Sequence, residues 1–400
     1  VYYNPPYTNG GIEKASANLI GFAKTQVLEP GASEDVTITF NVEDMASYDE
    51  KTAKAYVLEE GDYIISLNSD SHTIIDSKTY NVPSTITYSG DNKRSSDAVA
   101  ATNQFDFARG ENVTYLSRAD GFANYAEATA APTDLEMPAD MKESFYNISN
   151  YDPATDAVNP DDPNAEAPVT GAEGSTQLVD LRGLEYDDPA WDTLLDQMTI
   201  DEMNQLISLG GYQTNSIDSI GKVRTNDCDG PASINNNFTG KGSIGFPAAV
   251  MIANTWNVDI ATSFGDSIGQ MADEMDVSGW YAPAMNIHRS AFAGRNFEYY
   301  SEDGFLSGQM AAHAVQGAAA HGVYAYVKHF AFNDQETNRC GMLCTWSSEQ
   351  ALREIYLKPF EIAIKQGGAD AVMSSFNYIG NRWAGGCDEL CNTVLRDEWG

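Results

Sequence analysis

Side chains that can bind an oxygen-rich ligand stand at the ends of three predicted strands. Asp229 ends one strand, Arg295 follows a second, and the adjacent Lys328 and His329 end a third. The Asp229 carboxylate can accept hydrogen bonds from two hydroxyl groups. Arg295 and Lys328 can donate to hydroxyl oxygens, and His329 can do either. This combination favours a neutral, polyhydroxylated ligand and rejects analogues that lack a hydroxyl group.

The loops after the second and third strands carry further polar residues that can support this set. Glu298 lies one helical turn after Arg295, and Glu336 and Arg339 follow His329. Each feature alone has an ordinary explanation, because such an Arg–Glu pair is usually structural and a histidine among aromatic residues usually belongs to a core. Their shared position at strand ends favours a function, because barrels place ligand-binding groups there.

Two familiar motifs stand in the wrong structural context. Residues 240–245 match G-x-G-x-x-G, but they follow a polar loop and precede Phe246-Pro247. The dinucleotide-binding motif requires a strand before it and a helix after it. Residues 265–269 match G-x-S-x-G inside a helical pattern, so Ser267 cannot occupy the strand-to-helix turn of a serine hydrolase.

Strand and helix patterns alternate from residue 178 onwards. Strands are predicted at 248–253, 280–287, 322–330 and 369–376, and helices at 191–209, 258–275, 306–320, 347–366 and 391–399. Such a series predicts a parallel α/β domain. It fits an incomplete (β/α)8-type barrel over residues 177–400, truncated before its end, with a doubly wound sheet as the alternative. A barrel would bring the strand-end side chains together on one face.

Residues 1–90 predict an all-β domain before the barrel. Apolar and polar residues alternate over 36–42, as in a half-buried strand, and residues 63–67 form a strand after a Glu-Gly-Asp turn. Short strands without helical interruption predict a β-sandwich. Residues 91–176 are interpreted as a linker and surface strap, because residues 152–166 combine prolines with carboxylates and lack Lys and Arg. These carboxylates lack the spacing of a calcium-binding loop.

The composition disfavours several kinds of partner. The chain has 58 Asp and Glu against 23 Lys and Arg, a formal net charge of −35. Nucleic acid and anionic membranes are disfavoured because both are bound through Lys and Arg. No run of about 18 apolar residues predicts a membrane span. Acidic charge suits an extracellular or cell-associated protein, but no pattern assigns a compartment, and the missing initial Met predicts a start within a longer protein.

The five cysteines do not form a disulfide framework in a chain of this length. Cys340 and Cys344 form one Cys-x3-Cys pair, and Cys387 and Cys391 form another. Four thiolates could together hold zinc. The favoured alternative is small buried thiols in a reducing environment, or one local disulfide. We therefore predict no metal site, and nothing in the sequence calls for a cofactor.

Seven segments form a recognisable combination of motifs. The longest is residues 294–303, Gly-Arg-Asn-Phe-Glu-Tyr-Tyr-Ser-Glu-Asp. The others are Asp229-Gly230-Pro231, Lys328-His329-Phe330, and residues 372–377, 395–400, 19–24 and 60–63. The five segments between residues 229 and 400 resemble motifs of glycoside hydrolase family 3, the β-glucosidase family, and they follow one another along the chain in the family's order. Residues 19–24 and 60–63 resemble the family's fibronectin type III-like domain. The likeness covers about residues 1–90 and 178–400.

The resemblance implies roles for individual residues. One group would hold the sugar hydroxyls at the subsite before the cleaved bond: Asp229, Arg295, Lys328 and His329. A second group would support it: Glu298, Glu336, Arg339 and Phe376. Family members often have a tyrosine beside the nucleophile where this chain has Phe376, so one hydrogen bond to the nucleophile would be missing.

The domain order departs from the family's usual order, in which the fibronectin-like domain comes last. Here it comes first, which resembles a circular permutation. The resemblance implies a nucleophilic Asp just after Gly400 and an acid/base Glu before Val1, in an α/β sandwich domain. This chain would then hold the sugar-binding half of the site and be inactive alone. Its partner would be the remainder of the same polypeptide or a second chain.

The implied activity is that of a retaining exo-β-glycosidase acting on a small saccharide. It would release a terminal non-reducing sugar, most simply β-D-glucose, from oligosaccharides or aryl glycosides. Residues 331–336 differ from the histidine–aspartate loop of the family's N-acetylglucosaminidases, which disfavours that activity. A β-xylosidase remains an alternative. From a different class, a non-catalytic carbohydrate-binding surface protein also remains open.

Overall fold

The structure is a computed structural model of the 400-residue chain, and it describes residues 1–131, 133, 136, 142 and 168–400. The predicted strap at 152–166 lies outside the described residues. In the part of the chain that is described, no helix combines the length and apolar character needed to cross a membrane.

The N-terminal part consists mainly of short antiparallel strands. These strands are β1 (Tyr2–Asn4), β2 (Asn18–Leu19), β3 (Ser47–Asp49), β4 (Ala55–Leu58), β5 (Gly61–Asn68), β6 (Ile74–Val82) and β7 (Ile86–Tyr88). They form two sheets with the strand orders β2-β1-β5-β6 and β3-β4-β7. Tyr48 and Leu58 from the second sheet share one buried core with Tyr63 from the first. The strand predicted at 63–67 lies within β5.

The strand predicted from the alternation over 36–42 is wrong. Residues 36–41 have no strand assignment, and Val42–Met45 forms a short 3-10 helix. Ile38 and Phe40 are half-buried, as the alternation indicates, whereas Val36 is exposed. Alternation shows which side chains can be buried, but a strand also needs a neighbour for its backbone hydrogen bonds.

The C-terminal part is built on parallel strands. Its strands are β8 (Gln213–Thr214), β9 (Thr225–Asp229), β10 (Asn235–Asn236), β11 (Lys241–Gly242), β12 (Gly279–Tyr281), β13 (Tyr324–Phe330), β14 (Cys344–Thr345), β15 (Ala371–Ser374), β16 (Tyr378–Ile379) and β17 (Arg382–Trp383). The main sheet has the order β11-β10-β9-β12-β13-β15, with β8 beside β9. Within it, β9, β12, β13 and β15 are parallel neighbours.

Helices connect these parallel strands. The α-helices of the described residues are α1 (Tyr125–Ala128), α2 (Ala190–Asp196), α3 (Ile200–Ser208), α4 (Ala249–Ala253), α5 (Val258–Glu274), α6 (Gly304–Ala319), α7 (Glu349–Ala351) and α8 (Lys358–Lys365). Helical turns of the π type cover Leu352–Tyr356 and Glu389–Glu398. The parallel α/β organisation therefore agrees with the prediction. The described residues form an open run of parallel strands, and they contain no closed barrel.

Two predicted elements differ from the structure. The apolar run at 248–253 is helix α4 instead of a strand, because a short apolar run fits a buried helix as well as a buried strand. The single helix predicted at 191–209 is two helices, α2 and α3. The second begins at Ile200 after the N-cap residue Thr199, whose side chain forms a capping box with Glu202. This motif is visible in the sequence.

The G-x-S-x-G segment in α5 has a packing role. A Cβ atom at Gly265 would lie 2.0 Å from the carbonyl oxygen of Ala314 in α6. Conversely, a Cβ atom at Gly317 of α6 would lie 2.3 Å from the carbonyl oxygen of Thr262. Only glycine permits such a close approach of two helix backbones. The motif that resembled a nucleophile turn is therefore a helix–helix contact.

Buried ion pairs attach the segment 94–105 to the helices of the C-terminal part. Arg94 pairs with Asp97 at 2.8 Å and with Glu361 of α8 at 2.6 Å. Arg353 pairs with Glu349 and Glu398 at 2.8 and 2.7 Å and donates to the Thr102 carbonyl oxygen at 2.6 Å. The residues of both networks are almost completely buried. The segment is thus an integral layer of the fold.

Candidate active site

The carboxyl ends of β9 and β13 bring Asp229 and Lys328 together. Strand β12 lies between β9 and β13 and pairs in parallel with both. Alternate residues of a strand face the same side of the sheet, so Lys328 shares a face with Tyr326. The Lys328 Nζ atom lies 2.8 Å from an Asp229 carboxylate oxygen and 3.2 Å from the Gly230 carbonyl oxygen.

This ion pair has one buried and one accessible partner. The Lys328 side chain is 2% exposed, whereas the Asp229 side chain is 43% exposed. Burial lowers the pKa of Lys328, and the Asp229 carboxylate opposes that shift. The exposed Asp229 carboxylate can therefore accept hydrogen bonds from the hydroxyl groups of a ligand. The buried Lys328 ammonium fixes the position of this carboxylate.

The backbone and the ring of His329 are both fixed by hydrogen bonds. The Asn286 side chain accepts the His329 N–H at 2.8 Å and donates to its carbonyl oxygen at 3.0 Å. The Tyr299 hydroxyl lies 3.1 Å from the His329 Nδ1 atom. Burial lowers the pKa of His329 well below its ordinary value, and nearby cations lower it further. The imidazole is therefore neutral at pH 7, with one ring nitrogen able to donate and the other able to accept.

Arg295 lies at the start of the short 3-10 helix Asn296–Glu298. Its Nε atom forms an ion pair with Glu298, which is buried, and another guanidinium nitrogen lies 3.6 Å from Glu336. Arg339 also reaches Glu336, at 3.0 Å. The Arg339 guanidinium lies over the ring of Phe376, 4.9 Å from its centre. Carboxylates thus orient two guanidinium groups in the same small region.

The predicted residues form one connected cluster. Arg295 and Glu298 influence the pKa of Lys328, and Arg295 and Arg339 influence that of His329. The four predicted sugar-binding residues and the four supporting residues are therefore linked by contacts or by their electrostatic effects. The sequence prediction did not include Tyr299 or give Asn286 a function. Asn286 lies in the predicted strand 280–287 and Tyr299 lies in the motif 294–303. Only their pairing with His329 reveals them.

The loop after His329 contains buried polar atoms without hydrogen-bond partners in the described residues. These atoms are both side-chain polar atoms of Asn333 and the Oδ2 atom of Asp334. The other Asp334 oxygen accepts the Ile287 N–H at 2.9 Å. Burial raises the pKa of Asp334 to about 7. An unpaired buried polar group costs roughly 1–3 kcal/mol of stability. The unpaired atoms of this loop could therefore form further hydrogen bonds next to the cluster.

The five cysteines of the chain are all free thiols. The cysteines are not bonded to one another, and Cys228 and Cys387 are buried. Across the residues that the structure describes, no group of three or more His, Cys, Asp or Glu side chains is arranged to hold a metal ion. The candidate active site is a cluster of charged and hydrogen-bonding side chains.

Active sites of α/β barrel enzymes lie at the carboxyl ends of parallel strands, where this cluster lies. Residues 234–400 match the glycosyl hydrolase family 3 N-terminal domain, and residues 1–71 match the fibronectin type III-like domain. Residues 234–400 therefore carry the N-terminal domain of glycoside hydrolase family 3. The fibronectin-like residues of the chain precede the hydrolase domain, as the motifs predicted.

Known proteins match this chain over its whole length. It is 33% identical over 416 residues to beta-glucosidase A of Butyrivibrio fibrisolvens, covering 100% of this chain and 48% of that protein. It is 29% identical to a beta-glucosidase of Ruminococcus albus, covering 100% of this chain and 40% of that protein. A beta-glucosidase structure from Paenibacillus barengoltzii matches with a TM-score of 0.72 at 25% identity, covering 100% of this chain and 42% of that one. The chain spans half or less of these relatives.

Proposed function

We propose that the full-length protein containing this chain is a retaining exo-β-glycosidase that releases terminal β-D-glucose from oligosaccharides or aryl glycosides. The observation that carries the proposal is the pairing of accessible Asp229 with buried Lys328, beside neutral His329 and Arg295, in a domain of glycoside hydrolase family 3. The beta-glucosidase names of the relatives that match over the whole chain support the substrate class.

The residues of this chain would bind the sugar before the cleaved bond. Asp229 would accept hydrogen bonds from two neighbouring hydroxyl groups, which excludes sugars that lack either group. Lys328 and Arg295 would donate to hydroxyl oxygens, and the neutral His329 would donate from one ring nitrogen. Because these groups are already fixed by buried partners, little conformational entropy is lost when the sugar binds.

The chemical step would use two carboxylates from the rest of the polypeptide. A nucleophilic Asp after Gly400 would attack the anomeric carbon, and a glutamic acid from a sandwich domain would protonate the leaving oxygen. A covalent glycosyl-enzyme forms, and water then releases the sugar with its configuration retained. Glu298 and Glu336 are engaged by Arg295 and Arg339, which fits supporting roles for them.

We extend the proposal to the architecture. The parallel strands β9, β12, β13 and β15 would be part of a (β/α)8-type barrel that further residues of the polypeptide complete. The domain boundaries would lie near residues 90 and 177, and the order of domains would result from a circular permutation. Placing the fibronectin-like residues first agrees with the two domain matches.

The test is an assay of the full-length protein with 4-nitrophenyl β-D-glucoside, β-D-xyloside and α-D-glucoside. We expect turnover of the β-glucoside above the other two, and proton NMR should detect β-glucose as the first product. The 400-residue chain alone should release no nitrophenol. Initial release of α-glucose, or an inactive full-length protein, would contradict the proposal.

A further inference from the structure

A cavity of about 440 Å³ lies between the fibronectin-like residues and the helices of the C-terminal part. Its first wall is formed by residues 20–22, 37–41 and Asp44. Its second wall comes from the start of α5, from α6, and from Gln366 after α8. The volume is within the range of about 300–1,000 Å³ that is typical of small-molecule sites. The cavity shares no lining residue with the cluster around Asp229.

Aromatic rings hold one end of this cavity in a fixed arrangement. Phe22 and Phe305 line it from opposite walls, with ring centres 6.4 Å apart and planes at 88°. Trp256 packs behind Phe22 at 5.3 Å, also edge to face. Such contacts lock the rings, so the lining offers a preformed apolar surface to the C–H groups of a ligand.

Hydrogen-bonding groups line the same cavity. Gln309 on α6 donates to the Gln366 side-chain oxygen at 2.9 Å, which leaves the Gln309 oxygen to accept and the Gln366 amide to donate. The His313 Nδ1 atom lies 3.1 Å from the Thr262 hydroxyl. Its other ring nitrogen makes no hydrogen bond to any residue that the structure describes. Burial lowers the pKa of His313, so its ring is neutral at pH 7.

The charges around the cavity favour an uncharged ligand. No Lys or Arg is among the lining residues, and the whole chain carries a formal net charge of −35. An anion would therefore lack a counter-charge. Asp44 is the single carboxylate in the lining and is exposed, so a cation would gain little there. Amides, a neutral imidazole and threonine hydroxyls beside aromatic rings instead suit a molecule with many hydroxyl groups and apolar C–H faces.

We propose that this cavity is a second, non-catalytic binding site for a neutral sugar. The inference does not depend on the activity of the Asp229 cluster, because it uses different residues. Since the two walls come from different parts of the fold, a bound sugar would also strengthen the contact between the fibronectin-like residues and the helices.

The test uses the full-length protein with Asp229→Ala, which removes the main contact of the proposed catalytic subsite. Isothermal titration with glucose, and separately with cellobiose, should still show one bound sugar per chain. Adding Gln309→Ala should weaken this binding about tenfold or more, because a ligand hydrogen bond and the fixed position of Gln366 are both lost. His313→Ala serves as an independent second variant.

Controls separate this site from the catalytic one. In the otherwise unchanged protein, Gln309→Ala and His313→Ala should leave kcat/KM for an aryl β-glucoside unaltered. Saturating sugar should raise the melting temperature of the Asp229→Ala protein but not of the double variant. Absence of sugar binding to Asp229→Ala, or binding that neither cavity substitution weakens, would overturn the proposal and leave the proposed activity untouched.

Discussion

Removing either partner of the Asp229–Lys328 pair should have unequal effects on stability. Asp229→Ala leaves the buried Lys328 ammonium with one hydrogen bond among the described residues, to the Gly230 carbonyl oxygen. Loss of one partner from a fully buried ion pair costs about 3–5 kcal/mol. Because Asp229 is 43% exposed and water weakens the pair, we expect a loss of about 1–3 kcal/mol.

Replacing Lys328 instead of Asp229 should change the free energy of unfolding only slightly. Lys328→Met keeps the volume of the buried side chain and leaves the Asp229 carboxylate with solvent and the Gly230 N–H, which lies 2.9 Å away. We expect a change below about 1 kcal/mol in the free energy of unfolding. Urea unfolding of the full-length protein, followed by circular dichroism, measures both variants.

Activity should fall in both variants. A hydrogen bond to a charged group contributes roughly 1.5–3 kcal/mol, so Lys328→Met should lower kcat/KM by about 10- to 150-fold. Asp229→Ala removes two such bonds, and we expect a loss of roughly 10²- to 10⁴-fold. Asp266→Ala is the matched control, because this exposed carboxylate on α5 pairs only with His321 in the described residues. Equal losses of unfolding free energy in Asp229→Ala and Lys328→Met would refute the reasoning. An unchanged kcat/KM for Asp229→Ala would refute it as well.

Two further predictions concern stability. Burial raises the pKa of Glu354 from 4.5 to about 7, so its contribution is present in full below pH 4.5 and is lost as the pH rises to 7. In Glu354→Gln the unfolding free energy should therefore decrease less between pH 5 and pH 8 than in the unsubstituted protein, by at most about 3 kcal/mol. Parallel plots of unfolding free energy against pH for the two proteins would contradict this. Arg353→Met should lower the unfolding free energy by about 3–5 kcal/mol, because two buried carboxylates lose their partner. The exposed Arg382→Met should change it by at most about 1 kcal/mol, and similar losses in urea unfolding would show that burial does not control the effect.

The position of Lys328 was accessible from the sequence because it lies at the end of the largely apolar run 322–330, and Asp229 was singled out by its place directly before Gly230-Pro231. A parallel sheet then places such ends side by side. The partners of His329 were not accessible, because Asn286 and Tyr299 meet it only through the tertiary fold. Family resemblance added the expected sugar, but hydrogen-bond geometry required coordinates.

The two wrong strands have different physical causes. At 248–253 the pattern is purely apolar, and without a period it fits a buried helix as well as a strand. At 36–42 the period is correct, but no neighbouring strand pairs with residues 36–41 in the described structure. The failed motif at Gly265 adds a third case, since its glycines serve close helix packing with α6. Local pattern thus predicts burial better than it predicts the backbone partner.

The salt bridges of Arg94 and Arg353 limit where this polypeptide can be truncated. A fragment that begins at residue 177 would keep Arg353 beside Glu349 and Glu398. It would lose the Arg94 partner of Glu361 and the backbone donors that residues 102–105 supply to Glu349 and Glu398. We expect such a fragment to be less stable than the whole chain, because these buried carboxylates lose hydrogen-bond donors. Chimeras between relatives should therefore exchange the fibronectin-like module together with residues 94–105, and keep the arginine–glutamate pairs from a single parent.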